Sequence, residues 1–324
     1  MSATGAAAAA SAADTAPDVP WTLRLRAGVA EVFGRVAVDP VSAWPLAIGR
    51  IILGLTTLVW TLTLMPDATA LLGSDAIVSV DGASEFFRWI PLDSTGSVWA
   101  ALIALTVSSI AVTVGFRPTV FLAVSFVLIM ALQRRNPAIL NSGDIILRDL
   151  TLLFAFCPTG AACSLDRYRR VGRDRCWTAP RVAPWGLRLV QLQVSMVYLF
   201  AFWSKSGELW REGVAVSTAL RLRDLQRFGQ IDAIVDSVVL MAMLTWGTLV
   251  VEMLLGVLLW VRRLRPALVV VALLLHLSID VFLLVGFFGP VLAAGLMSFV
   301  DGDAVQHRVD RRIARRRRSA RAAD

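Results

Sequence analysis

Long apolar runs, separated by short polar segments, dominate the sequence. A run of about 18 to 20 apolar residues crosses the roughly 30 Å of bilayer hydrocarbon as an α-helix, and only internally hydrogen-bonded backbone is stable there. The runs lack the strict alternation of apolar and polar residues that a transmembrane β-barrel needs. The pattern therefore predicts an all-α fold, a polytopic transmembrane helical bundle.

Charges, prolines and glycines divide the apolar part of the chain into separate spans. Predicted helical stretches lie at about 44–65, 98–115, 119–132, 144–158, 185–204, 236–260 and 266–300. The last stretch is too long for one crossing, and Gly286, Gly289 and Pro290 interrupt it, so we expect two short helices there. The sequence thus predicts about eight crossings, with both termini on one side of the membrane.

The charged residues predict which side that is. Arginines crowd the loop at 164–182 and the run at 311–318, whereas the loop at 66–93 is mostly acidic. Because loops rich in Lys and Arg stay in the cytoplasm, we expect a disordered cytoplasmic N-terminal segment (1–42) and a basic cytoplasmic tail (304–324). The high ratio of arginine to lysine and the abundant alanine indicate a GC-rich bacterial genome, and hence a bacterial cytoplasmic membrane.

Composition argues against several other classes of function. The residues are 57% hydrophobic and 17% charged, which is typical of a chain embedded in lipid. The net charge of +8 comes from arginines placed as topology signals, so we do not expect nucleic-acid binding. The three cysteines, Cys157, Cys163 and Cys176, match neither a zinc pattern nor a disulfide framework. We therefore expect neither a bound metal nor a redox cysteine.

Several polar and ionisable side chains fall inside the predicted spans, where a charge costs at least roughly 2.5–3.5 kcal/mol. One helix carries a polar stripe on a single face, formed by Arg188, Gln191, Ser195, Tyr198 and Lys205. Glu252 and Arg50 lie inside other spans. For any one of these residues, contact between helices or snorkelling is the simpler interpretation. Several helices that each turn such groups inward favour a shared polar cavity.

Two pairs of ionisable residues share a helix face at a spacing of four. Asp280 follows His276, so its carboxylate is placed to hydrogen-bond the imidazole and fix its tautomer. Asp144 and Arg148 repeat this spacing near the start of the fourth span. The spacing predicts a local pair in each case.

Lys205 differs from the other cations of the chain. Among 32 lysines and arginines it is the one lysine, so arginine supplies the positive charge everywhere else. A guanidinium stays protonated at any accessible pH, whereas a desolvated ammonium can lose its proton and act as a base. We therefore regard Lys205 as a candidate base, with snorkelling at a helix end as the alternative.

The segment 197–213, with Tyr198, Lys205 and Trp210, resembles the tyrosine, lysine, tryptophan and glycine pattern of the vitamin K-dependent gamma-carboxylase family. Bacterial relatives of that family carry the horizontally transferred transmembrane (HTTM) domain and include the sporulation-delaying protein B group. Further stretches agree in the same order, namely Arg135-Asn136 with Asn141-Ser142-Gly143-Asp144, Cys157-Pro158 with Ser164-Leu165-Asp166-Arg167, and His276-Leu277-Ser278-Ile279-Asp280 with Phe287-Phe288. The likeness implies an HTTM-like transmembrane domain at 43–303.

In the carboxylases, the matching lysine is understood to deprotonate a reduced vitamin K quinol inside the membrane, which leads to carboxylation of a glutamate. The resemblance thus implies a reduced quinone as cofactor, and a carboxylase-like or epoxidase-like lyase activity on a peptide or a lipid. Together with the spacing arguments, it places catalysis on Lys205, His276 and Asp280. Further side chains are expected to bind the cofactor, namely Tyr198, Gln191, Trp210, Glu252 and Asn141.

The chain departs from the carboxylases at two points. They carry a further histidine just before the fourth span, where 141–143 reads Asn-Ser-Gly here, and a large extracytoplasmic domain, where only a basic tail follows residue 303. These differences argue against carboxylation of protein glutamates. Two other functions stay open: a non-enzymatic maturation or export partner of a secreted peptide, and a proton-coupled transporter in which Glu252, Asp280 and His276 relay protons.

Overall fold

The computed structural model describes residues 34, 38–76, 92–228 and 232–323. The chain divides into two compact units, Met1–Asp39 and Pro40–Asp324, and the helical fold belongs to the second. Most of the predicted N-terminal segment 1–42, and the middle of the predicted acidic loop, lie outside the described residues. Their order and their side of the membrane stay predictions.

Among its described residues, the second unit is built from helices, with one short pair of strands. In chain order the elements are β1 (Val41–Ser42), α1 (Trp44–Leu64), α2 (Ala68–Leu72), α3 (Thr95–Val114), α4 (Pro118–Arg135), a 3-10 turn (Pro137–Ile139), α5 (Ser142–Ala155), α6 (Leu165–Arg175), β2 (Arg181–Val182), α7 (Trp185–Ser204), α8 (Glu208–Arg211), α9 (Ala215–Arg221), a 3-10 turn (Arg223–Leu225), α10 (Asp232–Val235), α11 (Val238–Leu258), α12 (Arg265–Phe282), α13 (Phe288–Leu296), a 3-10 turn (Met297–Phe299) and α14 (Gly302–Ala323).

Within the described residues, six helices are long and apolar enough to cross a bilayer, namely α1, α3, α4, α7, α11 and α12. The number becomes seven if Phe288–Phe299 and Gly302–Arg315, which are bent by 90°, count as one span. The prediction of an all-α, polytopic transmembrane bundle is confirmed. The predicted number of about eight crossings is too high for the described residues, because α5, with 14 residues, and α13, with 9, are too short to cross a bilayer by themselves.

Local sequence signals set the ends of the helices. The hydroxyl of Ser94 accepts from the backbone N–H of Ser97, and together they form a capping box at the start of α3. The turn between α3 and α4 needs the left-handed conformation of Gly115, with φ of 73°, and Pro118 then starts α4. The predicted hairpin between these two spans is therefore present.

The short helix α13 lies among other helices, and this position explains its length. It packs against α1, α5, α7 and α12. Val291, Leu292, Ala294 and Leu296 on this helix are fully buried. Because protein surrounds the helix, its unpaired terminal backbone groups are not exposed to lipid, and a helix too short to cross a bilayer is tolerated.

The helices α11 and α12 lie at the edge of the bundle. Within an apolar stretch of 18 residues, only 22% of the residues of α11 and 17% of those of α12 are buried, whereas the share for α1 is 56%. α11 packs mainly on α7, and α12 packs on α11 and α13. Most of the surface of these two helices is therefore available to lipid.

The side chain of Gln306 on α14 holds the C-terminal helix to one end of the bundle. Its Oε1 accepts from Trp44 Nε1 and from the backbone N–H of Ala179, both at 2.8 Å. The strands β1 and β2 pair antiparallel in the same region, with Val41 opposite Val182. Most of the predicted basic tail 304–324 thus belongs to the helix α14. The side of the membrane on which this helix lies stays a prediction.

Candidate functional site

The polar stripe predicted on α7 exists, and its members contact different neighbours. Gln191 accepts from Arg188 Nη1 at 2.7 Å and donates to the carbonyl oxygen of Ser298 at 2.7 Å. One turn further along, Ser195 Oγ accepts from Trp260 Nε1 at 2.9 Å. These contacts tie α7 to the segments that follow α13 and α11. Gln191, predicted to bind a cofactor, thus has a structural partner at both ends of its amide.

The stripe ends at Lys205, which forms an ion pair with Glu252 on α11. Its Nζ lies 2.6 and 2.7 Å from the two carboxylate oxygens and 3.3 Å from the carbonyl oxygen of Ala201. The side chains of Lys205 and Glu252 are only 23% and 10% exposed. Since an ammonium has three N–H donors, each of them has an acceptor. The lysine side chain is therefore held inside the bundle edge rather than extended into water.

The Trp210 ring also contacts the ammonium of Lys205. The ammonium of Lys205 lies 5.4 Å from the centroid of the Trp210 ring, within the range of a cation–π contact. The tryptophan follows Lys205 on the short helix α8, so the local sequence brings both to the same place. Trp210 and Glu252 were both predicted as site residues, and the structure brings them together with Lys205.

Tyr198 on α7 and His276 on α12 form a second contact of the stripe. The Tyr198 hydroxyl lies 2.9 Å from His276 Nε2. Both side chains are buried, at 1% and 4% exposure. The His276 ring also meets the Phe288 ring edge-on, with the ring centroids 5.4 Å apart. The imidazole is therefore fixed between three helices, α7, α12 and α13.

The predicted hydrogen bond between Asp280 and His276 is not formed. His276 bonds through Nε2 to Tyr198, while its Nδ1 is buried without a partner among the described residues. The Asp280 carboxylate turns instead toward Gly289, where Oδ2 occupies the space that a Cβ would need. Its Oδ1 is also buried without a partner in the described part of the chain. A spacing of four permitted the contact, but the bond of His276 Nε2 to Tyr198 and the position of Asp280 Oδ2 against Gly289 keep the two side chains from bonding each other directly.

The predicted pair of Asp144 and Arg148 is also wrong. Asp144 is 4% exposed and accepts from Trp60 Nε1 at 2.8 Å and from the backbone N–H of Asn141 at 2.9 Å. Arg148 instead contacts the adjacent Asp149 at 3.1 Å. The carboxylate serves to start α5, a role that competes with any pair further along the helix.

Asn141, predicted to bind a cofactor, is the N-cap of α5. Its Oδ1 accepts from the backbone N–H groups of Gly143 and Asp144 at 2.8 and 3.2 Å. Its amide also packs against Gly286, whose φ of 74° lies in the left-handed region. The role of Asn141 in the structure is thus to hold the loop before α13 against the start of α5.

Trp60 is a functional candidate that sequence reasoning missed. It lies near the C-terminal end of α1, is 5% exposed and donates to the buried Asp144 carboxylate. In the sequence, a tryptophan inside an apolar span is most simply interpreted as a packing residue. With 11 tryptophans in the chain, nothing distinguished this one as a hydrogen-bond donor to a buried carboxylate. Buried tryptophans usually find an acceptor for their N–H group, and this was the one sign available.

The four groups Tyr198, Lys205, Glu252 and His276 belong to one cluster. Tyr198 contacts His276, and Lys205, seven residues further along the chain, contacts Glu252. Three helices, α7, α11 and α12, contribute them. The cluster offers an ammonium, a carboxylate, a phenol and an imidazole, all of which can donate, accept or transfer a proton. Among the described residues, no group of three or more His, Cys, Asp or Glu side chains suits a metal ion.

A bundle of apolar helices with ionisable side chains between them defines a polytopic membrane protein. The sequence model of the HTTM domain matches residues 38–303, and the chain therefore belongs to the HTTM domain family. The matched range contains all the predicted site residues. Searches among curated proteins and among solved structures found no match.

Proposed function

We propose that this HTTM protein acts on a reduced quinone dissolved in the bilayer, with Lys205 as the group that accepts a quinol proton. The observation that carries the proposal is the ion pair of Lys205 and Glu252, which places the one lysine of the chain beside a proton acceptor at the lipid-facing edge. When bound, a quinol supplies two oxidisable hydroxyl groups.

The residues of the cluster fit such a group. His276 Nδ1 and Asp280 Oδ1 are buried polar atoms without a partner among the described residues, and a hydroxyl can satisfy atoms of this kind. The surrounding helices α11 and α12 expose mostly apolar side chains, including Leu274 at 60% and Leu277 at 58%. An apolar ligand can therefore approach the cluster from lipid without crossing a polar surface.

Glu252 provides the means for Lys205 to become a base. A proton that moves from Nζ to Oε1 breaks one N–H bond and forms one O–H bond, and the pair stays neutral overall. Away from water, a pair without charges avoids the desolvation cost that the ion pair carries. Lys205 is then a free amine and can accept a hydroxyl proton at Nζ, while Glu252 holds the first proton on its carboxyl group.

Arginine cannot take this role, because its guanidinium does not release a proton at accessible pH. We therefore compare Lys205→Arg and Lys205→Ala with the wild type in lipid nanodiscs, measuring oxidation of the quinol probe menadiol with dissolved oxygen supplied as the electron acceptor. Both variants should lose at least about 100-fold in rate, the usual scale of a missing proton-transfer group. Arg211→Lys, on the exposed face of α8, is the matched control and should retain the wild-type rate.

A rate for Lys205→Arg close to that of the wild type would overturn the proposal. It would show that a fixed positive charge is sufficient at this position and that Lys205 does not act as the base. A purified sample should also contain a co-extracted quinone, detected by mass spectrometry of its lipid extract.

A further inference from the structure

The contact between Tyr198 and His276 fixes which nitrogen of the imidazole carries the hydrogen. A buried tyrosine hydroxyl needs an acceptor for its own O–H. In the described part of the chain, the one hydrogen-bond partner of the Tyr198 hydroxyl is His276 Nε2, at 2.9 Å. Tyr198 is therefore the donor and Nε2 the acceptor. In a neutral imidazole the other nitrogen, Nδ1, then carries the hydrogen.

This assignment leaves two complementary atoms on one face of α12. His276 Nδ1 becomes a buried N–H donor that lacks an acceptor among the described residues. Asp280 Oδ1, one turn further along the same face, is a buried acceptor that lacks a donor in the same part of the chain. A buried polar group left unsatisfied costs about 1–3 kcal/mol. Two such atoms, one turn apart on the same helix, indicate that a third group normally lies between them.

The surroundings hold the two atoms apart and in place. Phe288 lies edge-on against the His276 ring. Gly289 leaves the space that Asp280 Oδ2 occupies, and a side chain there would displace the carboxylate. The backbone carbonyl of Asp280 also accepts from Arg227 Nε at 2.8 Å. The side chains therefore cannot simply turn toward each other to satisfy both atoms.

We infer that His276 Nδ1 and Asp280 Oδ1 form a binding site for one hydroxyl group of the ligand. A hydroxyl accepts one hydrogen bond and donates another, so its oxygen receives the Nδ1–H and its own hydrogen goes to Asp280 Oδ1. Neither a carbonyl, which only accepts, nor an ammonium, which only donates, satisfies both atoms. Tyr198 is a positioning residue, because it sets the tautomer without contacting the hydroxyl.

The inference deepens the proposed function and rests on it for the identity of the ligand. A 1,4-quinol has hydroxyls at opposite ends of its ring. One of them is held by His276 and Asp280, which leaves the other for Lys205. The same site distinguishes a quinol from its oxidised quinone, since the quinone has no hydrogen to give to Asp280. Binding should therefore be selective for the reduced form.

The tautomer is tested by nitrogen NMR of protein labelled with ¹⁵N-histidine. The chain has two histidines, so His307→Gln, at an exposed position on α14, leaves His276 as the single imidazole. We expect the hydrogen on Nδ1 in this background. Adding Tyr198→Phe should remove the preference, because Nε2 then has no donor. A hydrogen found on Nε2 in the Tyr198-containing protein would overturn the inference.

The hydroxyl site is tested by adding menadiol, menadione or menadiol dimethyl ether to the same labelled protein in nanodiscs under nitrogen. Menadiol should shift the Nδ1 resonance, whereas the quinone and the ether, which lack the hydroxyl hydrogen, should not. Asp280→Ala should weaken menadiol binding about tenfold or more and leave the tautomer unchanged. Ser278→Ala, at an exposed position on the same helix, is the control and should bind as the wild type does.

The outcomes separate this inference from the proposed function. If no probe shifts the resonance while menadiol oxidation still depends on Lys205, the site holds water only, and the inference fails alone. If menadiol binds as expected but Lys205→Arg retains activity, the role of Lys205 as a base fails, and the hydroxyl site stands.

Discussion

Both carboxylate oxygens of Glu252 lie within 2.7 Å of the ammonium of Lys205. The two residues are 47 positions apart in the chain: Lys205 directly follows α7, and Glu252 lies on α11. Because the pair is mostly shielded from water, the two charges depend on each other more than a surface pair would. We therefore expect the removal of one partner to lower the free energy of unfolding more than the removal of both.

Glu252→Leu should destabilise the protein by about 3 kcal/mol, because it leaves a largely buried ammonium without its counter-charge. The double variant Lys205→Met with Glu252→Leu should recover most of that loss, since no unpaired charge remains. The free energy of unfolding can be compared by denaturant titration in matched detergent micelles. Equal losses in the single and the double variant would show that the shape of the side chain, rather than its charge, matters at this position.

A pair of glycines on α11 tests how closely α7 and α11 must approach. A Cβ at Gly256 would lie 2.6 Å from Leu199 Cδ2 on α7, whereas a Cβ at Gly247 would meet nothing within 4 Å. Gly256→Ala should therefore cost about 1–2 kcal/mol through overpacking and lower the activity that depends on Lys205.

Gly247→Ala is the matched control on the same helix. It should be neutral or stabilise by up to about 1 kcal/mol, as expected for alanine in place of glycine in an open helix position. Thermal unfolding of both variants in the same nanodiscs provides the comparison. Equal effects would mean that close contact between α7 and α11 is not required.

The guanidinium of Arg50 holds a loop onto the start of the bundle. The side chain is fully buried, and Nη1 and Nη2 donate to the carbonyl oxygens of Thr159 and Cys163 at 3.1 and 2.6 Å. Arg50→Lys keeps the charge but offers one nitrogen for two separated carbonyls, so we expect a loss of about 2 kcal/mol. Arg175→Lys, at an exposed position, should change the midpoint of thermal unfolding little.

Trp60 supports the start of α5 through Asp144. Trp60→Phe keeps the aromatic ring in α1 but leaves Asp144 Oδ1 without its donor, at a cost of about 1–3 kcal/mol. Trp185→Phe, at a residue 48% exposed, is the control. Hydrogen exchange should show faster exchange in α5 of the Trp60 variant. Unchanged protection there would contradict a role for this hydrogen bond in starting the helix.

Much of the fold followed from the sequence, because apolar length and period determine spans directly. The stripe on α7 was predicted on one face since a helix repeats every 3.6 residues, and the structure places Gln191, Ser195 and Tyr198 on its buried side. The prediction was wrong in counting the helices that became α5 and α13 as crossings. Both helices are surrounded by neighbours, and how far a buried helix extends depends on those neighbours rather than on its own composition.

Partner choice was the least predictable part of the site. Both local pairs expected from a spacing of four are absent. The Asp144 carboxylate accepts from the backbone N–H of Asn141 at the start of α5, and His276 contacts Tyr198 on another helix. The contact between Lys205 and Glu252 could not be deduced either, because it depends on how α7 and α11 pack. The sequence indicated which residues need a partner, and the tertiary structure decided which partner each one has.

Under the proposed function, the edge position of α11 and α12 implies that the quinol reaches the cluster sideways from the bilayer. A molecule that arrives sideways from the bilayer diffuses in two dimensions, so the quantity that governs occupancy is its mole fraction among the lipids. Turnover should then decline when inert phospholipid is mixed in at a fixed amount of substrate, although the bulk molarity hardly changes. An enzyme fed through water would be insensitive to such surface dilution.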